Sequence, residues 1–157
     1  MTARFLDSLS GEARMECTVR WVTAKTFLGE TGSGHTVVMD GPVEAGGRNL
    51  APRPMEMLLA GAGGCTLFDV VAILEKGRQQ VTDCAVHVSA ERAETDPKVF
   101  TRIHFHYTLA GKGLDPNKVK RAIELSAEKY CSASIMLGKT ATITHTWEIV
   151  AAKEHSA

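Results

Sequence analysis

From Pro54 the chain runs through Met55, Met57, Leu58, Leu59 and Ala60, then Leu67, Phe68, Val70, Val71, Ile73 and Leu74, interrupted only by Glu56 and Asp69 among charged residues. These apolar residues fall all round a 3.6-residue helix rather than along one stripe, which predicts a helix buried on most sides. Pro54 suits the first helical turn, where no amide hydrogen is needed. Glu75-Lys-Gly-Arg78 ends the run, with Gly77 as the expected stop. A helix of about 20 residues is about 30 Å long, the width of a whole small domain. One small domain covers such a helix poorly, so a homodimer is expected. Gly61, Gly63 and Gly64 lie inside the run, and each costs roughly 1 kcal/mol relative to Ala in a helix. Two explanations are open. The glycines allow close packing against another backbone, with Cys65 a small residue at a tight crossing. Alternatively they mark a break, after which a new segment starts near Cys65 and its N-terminus favours a thiolate.

The flanking sequence changes period. Met15, Cys17, Val19 and Trp21 alternate with polar residues and predict a strand with one buried face. The turn signal Thr31-Gly-Ser-Gly34 and then Val37-Val-Met39 predict the second strand of a hairpin. Gly41 to Pro54 is expected to be a loop. Cys84, Val86, Val88 and Ala90 alternate, as do Ile103, Phe105, Tyr107 and Leu109, and these two runs predict an antiparallel pair. Asp115-Pro116 opens a second helix with Val119, Ala122, Ile123, Ala127 and Tyr130 on one face, which Cys131 to Leu137 continues or bends. Ile143, His145, Trp147 and Ile149 form a last strand. The order β-β-α-β-β-α-β predicts an α+β fold, with mostly antiparallel sheets packed on two helices, and disfavours a doubly wound nucleotide fold.

Lys plus Arg and Asp plus Glu both number 18, so the chain has no net charge. That argues against nucleic acid or an anionic membrane as partner. The apolar stretches fall short of the roughly 20 residues that cross a bilayer, and no secretion signal is visible at the start. A reducing cytoplasm is therefore expected. Cys17, Cys65, Cys84 and Cys131 contain no Cys-x-x-Cys spacing, so no structural zinc is expected. Cys17 and Cys84 are in phase with apolar strand faces and read as core. Cys131, in Glu128-Lys-Tyr-Cys131-Ser, is a second candidate thiol beside Cys65. His104 and His106, with His87 on the neighbouring strand, read as a solvated sheet face rather than a metal site. His145 reads as a core or interface histidine. The glycines lack the Gly-Lys-Ser/Thr of a phosphate loop, and no cofactor or metal is expected.

Pro54-Met-Glu-Met-Leu-Leu-Ala-Gly-Ala-Gly-Gly-Cys65-Thr, then Phe68-Asp-Val-Val, and later Glu128-Lys-Tyr-Cys131-Ser resemble the OsmC/Ohr family. Trp21-Val, Thr26-Phe-Leu-Gly, Met39-Asp-Gly, Glu75-Lys-Gly-Arg and Ile143-Thr-His resemble its YhfA-like branch most. The resemblance implies an OsmC-like domain over 14–152, with tails at 1–13 and 153–157, and an intertwined homodimer built around the cysteine helices. It also implies thiol-dependent reduction of organic, fatty-acid-like hydroperoxides. By motif, Cys65 matches the peroxidatic cysteine and Cys131 the resolving one. A dihydrolipoyl protein or small thiol is the implied reductant.

Two departures from the family pattern stand out. Met55 follows Pro54 where the characterised peroxidases carry Glu, and the carboxylate comes one position later as Glu56, which the resemblance makes the third expected catalytic residue beside Cys65 and Cys131, although turned by about 100° on a helix. The family's thiolate-pairing Arg has no motif-placed counterpart, leaving Arg20, Arg48 and Arg53 as candidates. Met57, Phe68 and Phe27 are the expected lining of an apolar substrate pocket. The competing expectation is a non-catalytic protein that binds an apolar, lipid-like ligand on the same dimeric scaffold.

Overall fold

A computed structural model describes residues 15–151 of the chain. The expected tails at 1–13 and 153–157 lie outside the described residues. The chain divides into two compact units, with the boundary after Met57.

The first unit is an antiparallel meander of β1 (Cys17–Thr23), β2 (Thr26–Thr31) and β3 (Thr36–Met39). It has one strand more than the sequence pattern suggested. Thr26–Thr31 carries Gly29 and Glu30 and shows no clean alternation, so only pairing on both sides makes it a strand. It is the central one, with Trp21 opposite Phe27 and Phe27 opposite Met39. The β1–β2 turn is tight, with Ala24 at φ 48° and its carbonyl accepting from the Trp21 indole at 3.0 Å. The predicted turn at 31–34 is present, and Gly34 supplies its positive φ of 84°. β1 is exposed along its whole length. Its alternation therefore buries no face against the described residues, and Cys17 is exposed rather than core.

Asp40 ends the meander and organises the loop after it. Its carboxylate is fully enclosed and accepts from the amides of Gly41, Arg48 and Leu50 and from the Thr26 hydroxyl. These bonds, the Leu50 amide foremost, hold its pKa below the ordinary value. The loop contains one 3₁₀ turn, Val43–Ala45.

Helix α1 (Pro54–Lys76) is continuous. The glycines do not break it, so Cys65 lies in mid-helix and no helix N-terminus supports its thiolate. Close packing explains one glycine. A Cβ on Gly63 would sit 3.3 Å from Val88 and 3.4 Å from Val86. Gly61 and Gly64 face open space among the described residues. At its end the left-handed residue is Arg78, at φ 57°, rather than Gly77. By length and composition α1 is apolar enough to cross a membrane, with a mean hydropathy of 2.0 over its best window, contrary to the sequence expectation. Yet Ala62, Gly63, Thr66, Val70 and Leu74 are buried within the protein.

The second unit carries a sheet in the order β4 (Gln80–Arg92), β5 (Phe100–Lys112), β6 (Thr142–Val150). The β4–β5 pair is antiparallel, as the alternation predicts. β6 instead runs parallel to β5. The helices between these strands carry the chain back to the starting end of the sheet, which is the crossover a parallel pair needs. Ile103, Phe105, Tyr107 and Leu109 make the buried centre of one face. α2 (Pro116–Leu125) buries Val119, Ala122 and Ile123. Its N-cap is Asp115, which accepts from the Asn117 amide at 2.8 Å, with Pro116 in the first turn. A π-helical turn, Ser126–Tyr130, follows, and then the short α3 (Ser132–Leu137). The architecture is the expected α+β fold.

Candidate active site

Cys65 and Asp69 are four residues apart on α1, so their side chains lie one above the other. Cys131 reaches the same point from far along the chain. The π-helical turn makes this possible. It closes with the Cys131 amide donating to the Ser126 carbonyl at 2.8 Å, after which Cys131 leaves helical geometry at ψ 94°. Such a turn adds a residue to one helical cycle and shifts the faces beyond it. Ser126 and Cys131 are both buried. The Cys65 sulfur, an Asp69 carboxylate oxygen and the Cys131 sulfur all lie within 4.8 Å of one another. Both cysteines are free thiols.

The two sulfurs have different surroundings. Cys65 is partly exposed and Cys131 is fully buried. Cys131 caps α3, its sulfur accepting from the Ser134 amide at 3.4 Å. The helix N-terminus imagined for Cys65 thus belongs to Cys131. Burial nevertheless dominates and pushes the Cys131 thiol up, and neighbouring Cys65 adds to the rise against the Ser134 hydrogen bonds. Cys131 is held as a neutral thiol.

Behind Asp69 runs a chain of hydroxyls. Ser126 donates to Asp69 Oδ2 at 3.2 Å. Ser126 lies 2.9 Å from Thr66, and Thr66 lies 2.7 Å from Tyr107. The Tyr107 hydroxyl is 3.5 Å from His145 Nδ1. A hydroxyl has one proton to give. With the Ser126 proton on the carboxylate, Thr66 donates to Ser126 and Tyr107 donates to Thr66. His145 is left to donate from Nδ1. Every donor therefore points toward Asp69, and each bond polarises the next. Burial pushes Tyr107 up to about 12. Burial, helped by the charge on His104, lowers the His145 pKa. The half-buried His145 ring stacks on Phe105 at 5.3 Å. It also borders a cavity of about 420 Å³, together with Ile123, Glu128, Ile135 and Ile143.

Glu56 accepts from the Arg53 amide at 2.8 Å and so caps the start of α1. Arg20 pairs with Glu30 on the adjacent strand. Phe27 and Met57 are half-buried in the first unit. Phe68 is 78% exposed and one turn beyond Cys65 on α1. Cys84 is half-buried, and burial with Asp83 pushes it up to about 11. His104 and His106 bond to Thr144, Thr146 and Glu148 across the sheet, the solvated face expected of them.

The sequence reading missed Asp69, Thr66, Ser126 and Tyr107. The i, i+4 pair Cys65/Asp69 is visible in the sequence. The hydroxyls become visible only once α1, the π-helical turn and β5 are packed together.

A family model described as OsmC-like protein matches residues 46–146. Protein YhfA of Escherichia coli (strain K12) is 51% identical over 138 residues, which are 88% of this chain and 100% of that protein. A solved structure of a hypothetical protein from Aquifex aeolicus VF5 is 30% identical, with a TM-score of 0.78, covering 89% of this chain and 98% of that one. An organic hydroperoxide resistance protein OsmC from Legionella pneumophila has a TM-score of 0.65 at 16% identity, covering 86% of this chain and 96% of that one, and that likeness concerns the fold alone. With the family match spanning most of the chain and the YhfA likeness spanning all of that relative, the chain belongs to the OsmC-like protein family.

Proposed function

We propose that the protein is a thiol-dependent peroxidase of organic hydroperoxides, with Cys65 as the attacking sulfur and Cys131 as the resolving one. The observation that carries this reading is the approach of two free thiols to within 4.8 Å beside a carboxylate. Family membership, and a structural relative named for organic hydroperoxide resistance, support it.

In the first step the Cys65 thiolate attacks the peroxide O–O bond. The alkoxide leaves and takes a proton to become the alcohol, and Cys65 becomes a sulfenic acid. In the second step the Cys131 sulfur attacks the Cys65 sulfur. The Cys131 proton and the sulfenic hydroxyl leave as water, and a disulfide remains. Cys131 is a neutral thiol at rest, so its proton needs an acceptor, and Asp69 is the carboxylate within reach. We assign that role to Asp69 and the capping of α1 to Glu56. A thiol reductant, either a dihydrolipoyl protein or a small thiol, restores the pair by exchange. Phe68 offers apolar surface one turn from Cys65 for the substrate's tail. A second copy of the chain completes the pocket by covering the exposed α1 stripe of Leu58, Gly61, Gly64 and Phe68. A cytoplasmic setting that keeps the thiols reduced belongs to the same proposal.

The test is a stoichiometric reaction of the reduced protein with cumene hydroperoxide, followed by intact mass and peptide mapping. Loss of two hydrogens, mapped to a Cys65–Cys131 disulfide and faster than with hydrogen peroxide, is expected. Cys65→Ser abolishes peroxide consumption, and Cys131→Ser stops at the sulfenic acid. Slow, unselective oxidation of all four cysteines overturns the proposal and favours an apolar-ligand-binding protein.

A further inference from the structure

The geometry points to a second use of the same three side chains: the reduced protein binds one thiophilic divalent cation, of the zinc type, through Cys65 Sγ, Cys131 Sγ and an Asp69 carboxylate oxygen. The donor atoms already lie within 4.8 Å of one another, and modest side-chain rotation brings them onto one ion. Zinc bonds to cysteine sulfur at about 2.3 Å and to carboxylate oxygen at about 2.0–2.2 Å, in tetrahedral sites. Two thiolates and one carboxylate suit that borderline-soft ion.

The surroundings support the ligand set. Ser126 holds Oδ2 of Asp69 and leaves the other carboxylate oxygen with its lone pairs to bond an ion. Thr66 and Tyr107 brace Ser126 from behind, the kind of outer hydrogen bonding that fixes a metal ligand's orientation. Cys131 closes the site on its buried side, while Cys65 and Asp69 are partly exposed. Three protein ligands leave a fourth position on that open side for water. The expectation of no metal rested on ligand spacing along the chain. This set has no such spacing, because Cys131 joins the Cys65/Asp69 pair only through the fold.

Binding releases the two thiol protons to solvent and changes no oxidation state. A disulfide between the same sulfurs removes both thiolate ligands, so oxidation expels the ion. The site itself rests on geometry alone. Its consequence, that the bound ion shields the thiol pair from hydroperoxide, rests on the peroxidase reading.

Cobalt(II) is the probe, because thiolate ligation gives a near-ultraviolet charge-transfer band and tetrahedral geometry gives intense visible bands. The reduced full-length protein is titrated with Co²⁺ and back-titrated with Zn²⁺. One equivalent of Co²⁺ is expected to develop both bands, and one equivalent of Zn²⁺ to bleach them. Cys65→Ser and Cys131→Ser lose the charge-transfer intensity, while the Cys17→Ser/Cys84→Ser double variant keeps it. Ser126→Ala weakens the apparent affinity by about tenfold. Wild-type protein oxidised with diamide, which takes two hydrogens from the thiol pair, develops no band, and this control needs no substitution that threatens folding. Absence of the charge-transfer band in the reduced protein, or its persistence in Cys65→Ser, overturns the metal site. Cumene hydroperoxide turnover is followed in parallel with and without Zn²⁺. A protein that binds Co²⁺ but never consumes peroxide keeps the metal site and loses only the peroxidase reading.

Discussion

Ser126 donates a 3.2 Å hydrogen bond to Asp69 from 57 positions further along the chain, and so ties the turn that presents Cys131 to the helix that presents Cys65. Both ends of the bond matter. Asp69 needs it to face the sulfurs, and the π-helical turn needs it to stay in register. Ser126→Ala removes it and also leaves buried Thr66 without an acceptor. A stability loss of about 1–3 kcal/mol is expected in urea titration. Disulfide formation after peroxide addition should slow more than the initial oxidation of Cys65, as followed by quenched mass spectrometry.

Tyr107→Phe tests the next link. Burial pushes the phenol from 10.0 up to about 12, so the folded chain keeps a proton that the unfolded chain releases. The associated stability is fully present below about pH 10 and is lost as pH rises through about 12. Urea midpoints measured across this range should fall for the wild type from this source, and less steeply for Tyr107→Phe. The variant should also lose about 1 kcal/mol near neutral pH, the net worth of one buried hydrogen bond.

His145 gives the opposite dependence. Burial first, and the charge on His104 second, lower its pKa from 6.5. The unfolded chain therefore takes up a proton before the folded chain does. This contribution is present above pH 6.5 and is lost as pH falls through the folded pKa. His145→Phe keeps an aromatic ring against Phe105 and Tyr107 but cannot titrate. Its unfolding midpoint should change less than the wild type's between about pH 7.5 and pH 5.5.

Gly64→Leu addresses the proposed dimer. Beyond its chain neighbours and the helix's own backbone, a Cβ placed at Gly64 meets nothing within 4 Å among the described residues. Within one chain the substitution should be tolerated, with a gain of roughly 0.5–1 kcal/mol from helix propensity. Against a second α1 the added side chain collides. Analytical ultracentrifugation is expected to find the wild type dimeric and Gly64→Leu monomeric, with an unchanged far-ultraviolet circular dichroism spectrum. A variant that remains dimeric would place the interface elsewhere.

Local signals in the sequence determined much of this protein. Asp115-Pro116 caps and starts α2 because capping chemistry acts within a few residues. The alternations at 84–90, 103–109 and 143–149 give strands because a period of two is a property of the backbone itself. The apolar run from Pro54 gives α1 for a similar reason. Where pairing or packing decides, local pattern falls short. β2 has no alternation of its own and is a strand because β1 and β3 flank it. β1 alternates yet stays exposed, since periodicity says which residues share a face and not whether anything covers it. The direction of β6 followed from the crossover helices. Cys65 and Cys131 stand out in the sequence by motif, but their meeting beside Asp69 does not. It depends on a one-residue shift in the π-helical turn and on a buried line of hydroxyls from α1, that turn and β5. Those are contacts between elements far apart in the chain, and only tertiary packing sets them.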